Sequence, residues 1–167
     1  MSHILRVPAI LVLLALVLLS ALGGLAAAGA LTGFEAPVEQ VQDMQASAAR
    51  SGAAEATWID VGLFAAAAIF FLISSIRLMR RTQGFWTWLL GFAAYGGRWA
   101  WAQQQNGGLA ATLQNIDLNA YANPQAMLAD LSTTEGQLAI LALILIVGVI
   151  VLIVDAADRS YWDRQTA

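Results

Sequence analysis

Asp60 and Arg98 are the first residues to which chemistry could be assigned, because each is the single charge inside a long apolar run. Residues 58–76 carry only Asp60 and residues 85–101 only Arg98, while residues 7–31 and 136–154 carry no charge at all. A charge at the bilayer centre costs about 3 kcal/mol on insertion scales, so an intramembrane charge is a functional candidate by default. Asp60 opens its run and Arg98 closes the next one. A short connection between the runs would therefore bring both to one membrane face. There an arginine can snorkel toward the headgroups, and an aspartate in a helix's first turn is favoured by the helix dipole. The spacing predicts an interfacial Asp60–Arg98 pair across a hairpin. Gating, a proton path or anion contact are the active roles open to it.

Arg77, Arg80 and Arg81 form a second constellation, directly after the run that Asp60 opens. Arginines beside a span mark its cytoplasmic end. A juxtamembrane basic cluster also attracts anionic lipid headgroups. Asp155 and Asp158 follow the last apolar run, would share that membrane face, and are the expected partners of these arginines. A third pattern is steric. Ser20, Gly24 and Ala28 recur every four residues, a spacing of small side chains that lets helices approach closely. Ala93 and Gly97 repeat it in the third run.

What the runs lack narrows the chemistry. The chain has no cysteine, which removes thiolate metal sites and thioether haem attachment. Its single histidine, His3, lies outside every run, so imidazole ligation of a haem within the membrane is not available. There is no mid-membrane carboxylate of the kind that couples transport to protons, and no pair of Gly/Pro-broken spans that would build a midplane site. No nucleophile–base pair, phosphate loop or metal-ligand spacing occurs either. The reading therefore expects no catalysis, no cofactor and no metal. A net charge of −3 gives no general electrostatic case for nucleic acid, and no soluble small-molecule substrate is indicated.

The elements that position these residues are four helices. Of 167 residues 59% are hydrophobic and 11% charged, against roughly 25% charged in soluble domains. About 20 apolar residues cross a bilayer, and the runs supply spans at about 7–31, 58–76, 85–102 and 136–154. The first is longer than the apolar core of a cleaved signal peptide and reads as an anchor, with Pro8 in its first turn. The third is the shortest: Phe85, Trp86 and Trp88 open it, and Trp99 and Trp101 close it. Aromatic girdles of this kind mark the two interfaces of a crossing helix.

Between spans lie two acidic segments, 32–57 and 103–135. Pro37 could start a short amphipathic helix in the first, ending at Ser51-Gly52, and Asn123-Pro124 another in the second. Ser132-Thr133-Thr134-Glu135 matches a capping box before the last span. With four crossings, both termini, the 77–84 turn and the 155–167 tail share the cytoplasmic side with Arg6, Arg77, Arg80, Arg81, Arg159 and Arg164. Both acidic segments then fall outside.

These features predict a single all-α membrane domain of four transmembrane helices, with both termini cytoplasmic and short amphipathic helices in the extracytoplasmic segments. Exclusive use of arginine beside abundant alanine and glycine suggests a bacterial, GC-rich source, hence the inner membrane. The functional expectation is a non-catalytic accessory, scaffolding or assembly subunit of a larger complex. Its partners would be lipid and other membrane subunits. Respiratory and photosynthetic assemblies are the type of host that takes such chains, an association by class alone. The rival expectation is an oligomeric channel or small transporter subunit with Arg98 at its outer mouth.

Overall fold

The computed structural model describes residues 2–33, 57–105, 108, 110, 114, 116 and 134–166. They form four long helices: α1 (Ser2–Thr32), α2 (Trp58–Met79), α3 (Phe85–Gln105) and α4 (Thr134–Thr166). The segments holding the two expected amphipathic helices, together with Ser132 and Thr133 of the expected capping box, lie outside the described residues.

Three of the helices, over Ile4–Thr32, Trp58–Met79 and Thr134–Arg159, are long and apolar enough to cross a membrane. This is the architecture of a membrane protein. Helix α3 is not in that set, because Arg98, Gln103, Gln104 and Gln105 and its glycines and tryptophans dilute its hydropathy. Its 21 residues nonetheless extend roughly 31 Å at 1.5 Å per residue.

The helices form a ring in which α1 packs on α2, α2 on α3, α3 on α4, and α4 closes on α1. Direction follows from the end contacts. Arg6 near the start of α1 meets Asp158 near the end of α4, and Asp155 meets the start of α3 at Gly84 and Phe85. Asp60 in the first turn of α2 meets Arg98 near the end of α3. The bundle is therefore up-down-up-down, and α3 runs its length.

Leu13, Phe71, Leu78, Ile144, Val151 and Val154 fill the axis with their side chains almost wholly buried. Close approach is made at glycines facing rings. A Cβ on Gly91 would come within 2.7 Å of the Phe71 ring, and one on Gly23 within 2.8 Å of Phe64. At Gly148 a Cβ would overlap the Trp88 indole, whose Nε1 donates to the Ile144 carbonyl at 3.2 Å. Phe85, Trp88 and Phe92 stack along α3 with centroids 5.4 and 5.6 Å apart. Trp88 and Trp99 are thus interior residues, while Trp58, Trp86 and Trp101 stay exposed. The expected aromatic girdle is split: one tryptophan at each end of α3 faces outward and one inward.

Two boundaries differ from the sequence expectation. Helix α1 starts at Ser2, so Pro8 lies inside it and not in its first turn. Helix α4 continues to Thr166, through the stretch expected to be a tail. No glycine or proline interrupts residues 149–166, and Asp155 and Asp158 both find partners on other elements.

Candidate functional site

The residues nominated by sequence gather at opposite ends of the bundle. At the end formed by the start of α2 and the finish of α3, Thr57 is the N-cap of α2. Its backbone N–H and its Oγ1 donate to Asp60 Oδ2 at 2.9 and 2.8 Å, and the Asp60 amide approaches Thr57 Oγ1 at 3.4 Å. This is a capping box, which satisfies amides that a helix's first turn leaves open. Its signal, Thr-x-x-Asp before an apolar run, is present in the sequence and was not singled out there.

The other oxygen, Asp60 Oδ1, accepts from Arg98 Nε at 3.1 Å. Asp60 is buried, whereas the Arg98 side chain retains 27% of its exposure. The guanidinium carbon lies 4.7 Å above the Phe64 ring centroid, a cation–π position, and Phe64 meets Tyr95 edge-on at 6.0 Å. Trp99 Nε1, on the next residue of α3, is buried without a hydrogen-bond partner. Both oxygens of Asp60 are therefore accepting hydrogen bonds. A carboxylate held in this way fixes a helix start and a neighbouring helix.

The opposite end is organised by α4. Asp155 is buried and reaches across to the turn between α2 and α3. Its Oδ2 accepts from Gly84 N at 2.9 Å and Phe85 N at 2.8 Å. It thus caps α3 from another helix, supplying the acceptor that the first amides lack and a negative charge at the positive end of the dipole. Ser74 Oγ of α2 donates to the Gly84 carbonyl at 3.0 Å. The glycine peptide is held from both sides. One turn further along α4, Asp158 accepts from Arg6 Nη2 at 2.6 and 2.5 Å.

These pairings correct the expected partners of the arginine cluster. Asp155 and Asp158 engage a turn backbone and Arg6, and do not pair with Arg77, Arg80 or Arg81, all three of which are exposed. The physical reason is burial. The backbone amides and Arg6 sit on the inner side of α4, where an unpaired polar group is expensive, while the three arginines project where water can solvate them.

The turn ends α2 with a Schellman arrangement: Thr82 N donates to Arg77 O at 2.8 Å and Arg81 N to Leu78 O at 3.2 Å. Arg81 takes the left-handed position with φ 56°, where glycine is the usual residue. A cleft of about 270 Å³ opens beside it, lined by Arg81, Thr82, Gln83, Asp155, Asp158 and Arg159.

The small-residue face is rotated from the predicted line. Ser20 is fully buried, its Oγ without a partner, but Gly24 and Ala28 are only half-buried. The buried line continues instead through Gly23 and Ala27. A four-residue step turns about 40° past a full helical turn, so a strict four-residue repeat drifts off a straight contact. On α3, Ala93 and Gly97 face outward, and the close approach to α2 is made at Gly91.

Comparison with known family models, curated proteins and solved structures finds no match to this chain.

Proposed function

We propose that the chain crosses a bacterial inner membrane four times, with its arginine-rich end cytoplasmic, and serves as a non-catalytic accessory, scaffolding or assembly subunit of a larger complex. The observation that carries this reading is the use made of the buried charges. Among the described residues these are Arg6, Asp60 and Asp155, and each fastens one helix to another helix or to a helix start. Their chemistry is that of assembly. The outward faces, with Leu18, Leu25, Ile69, Ile146, Val149 and Ile153 exposed, are what such a bundle presents to lipid and to neighbouring subunits.

Four crossings are favoured by the ring geometry. The start of α3 is bound to the end of α4, and the end of α3 to the start of α2, so α3 covers the distance its neighbours cover. Arg6, Arg77, Arg80, Arg81 and Arg159 all belong to one end of the bundle, which supports a cytoplasmic position for it. The channel reading needs an uncompensated charge at the outer mouth. Arg98 is instead matched by Asp60, which weighs against that alternative.

Purification in mild detergent, followed by identification of what accompanies the chain, tests the subunit reading. Unrelated membrane polypeptides in fixed ratio are expected, and recovery as a homogeneous monomer would overturn it. A C-terminal reporter active only outside the cytoplasm should stay inactive. Its activity would sink the four-crossing topology.

A further inference from the structure

We propose that the cleft between the α2–α3 turn and the end of α4 binds the phosphate of an anionic phospholipid headgroup, with Arg81 and Arg159 as its ligands. The proposal rests on the membrane placement of this end and not on the subunit role. Its first support is the cleft itself. At about 270 Å³ it far exceeds the roughly 10–15 Å³ of comparable space that admits one water.

The second support is charge. Of the two aspartates in the lining, Asp158 is charge-paired with Arg6, while Asp155 keeps its charge but turns its carboxylate to the amides of Gly84 and Phe85; with Arg6 counted, the arginines exceed the aspartates by one. The ion pairs among the described residues are Arg6–Asp158 and Arg98–Asp60, so neither Arg81 nor Arg159 takes part in one. Arg81 and Arg159 both line the cleft, and a guanidinium can bind a phosphate through paired N–H groups. Arg77 in the last turn of α2 and Arg80 at its C-cap bring the exposed arginines of this end to four. Four is where juxtamembrane clusters begin to recognise anionic lipid.

The third support is Arg81's backbone. A left-handed φ of 56° at a helix's C-terminal turn disfavours any residue with a Cβ. Glycine would close this turn with less strain and no charge. A charged residue kept at this position points to a role for its side chain in the cleft it lines.

The same chemistry would accept a free phosphate group, so the test separates the two sources. The full chain in mild detergent is given phosphatidylglycerol or phosphatidylcholine at equal mole fraction, and retained lipid is counted by native mass spectrometry. Preferential retention of phosphatidylglycerol is expected. The double variant Arg81→Gly/Arg159→Gln should weaken that retention on the order of 30-fold, about fivefold for each charge removed. Arg77→Gln/Arg80→Gln removes the same charge but no residue of the cleft, and should weaken retention clearly less than the cleft variant. Equal losses in the two double variants would overturn a built site in favour of diffuse attraction, and equal retention of the two lipids would overturn it outright. Displacement of the lipid by equimolar inorganic phosphate would assign the cleft to a free anion and overturn the headgroup. Arg81→Gly relieves the left-handed turn, so that variant should unfold no earlier than the parent. Arg159→Gln alone, at an exposed position, provides a second reading of the same loss. Loss of lipid preference while the reporter remains cytoplasmic would reject the site and leave the topology standing.

Discussion

The two ends of the bundle use aspartate differently. At the arginine-rich end, Asp155 and Asp158 project from one helix to two separate elements, the turn before α3 and the first turns of α1. At the other end, a single carboxylate, Asp60, divides its oxygens between its own helix start and Arg98. The first arrangement ties α4 to the rest of the ring, while the second tightens a hairpin already joined by a five-residue turn. Contacts that close a ring between sequence-distant helices have no short connection to substitute for them. The arginine-rich end should therefore matter more to the integrity of the fold.

Asp155 carries the sharpest version of this comparison. Asp155→Ala would leave the amides of buried Gly84 and half-buried Phe85 without an acceptor. At about 1–3 kcal/mol for each unsatisfied group, the expected loss is roughly 4 kcal/mol. Titration from mild detergent into sodium dodecyl sulfate would measure it, and hydrogen exchange at Gly84 and Phe85 should accelerate first. Asp155→Asn keeps an acceptor oxygen and should lose less than half as much. If Asp155→Ala unfolds like the parent, the ring is not closed through this residue.

Next in size is Arg6. Its pair with Asp158 is nearly enclosed, with 8% and 17% of the side chains exposed. Removing one member of a buried pair costs about 3 kcal/mol or more, because the other charge is stranded. Arg6→Gln and Asp158→Asn should each lose about that much, while the double variant should lose less than the two added together. Strict additivity would show that the two side chains do not act as a pair in the membrane.

The helices were legible in the sequence because apolar run length is a one-dimensional signal. Residues 58–76 and 85–102 became Trp58–Met79 and Phe85–Gln105, with starts unchanged. The extension of α4 to Thr166 was not legible, because polarity after residue 154 resembles a tail until its aspartates are seen to have partners. The Asp60–Arg98 proximity could be anticipated from two charges at facing ends of a hairpin. Asp155 could not, because its partners are backbone amides, and every residue except proline has one. The rotated face of α1 shows the same limit. A four-residue repeat of small side chains announces close packing, but whether Gly23 or Gly24 meets the partner depends on where Phe64 lies.

At the hairpin end the expected effects are smaller and separable. Asp60→Ala removes both the Arg98 contact and the acceptor of the capping box, so about 2 kcal/mol is expected. Arg98→Gln removes only the ion pair. With about a quarter of the arginine side chain open to solvent (27%), its loss should be near 1 kcal/mol after allowing for screening. Thr57→Ala removes the cap alone and should lose about 1 kcal/mol. A cycle over Thr57 and Arg98 then decides whether Asp60 serves one unit or two. If its oxygens act independently, Oδ2 toward Thr57 and Oδ1 toward Arg98, the losses of Thr57→Ala and Arg98→Gln should add to within about 0.5 kcal/mol. A coupling above about 1 kcal/mol would mean that the cap orients the carboxylate for Arg98. The hairpin end would then resemble the arginine-rich end, and the contrast between two shared aspartates and one divided aspartate would have to be abandoned.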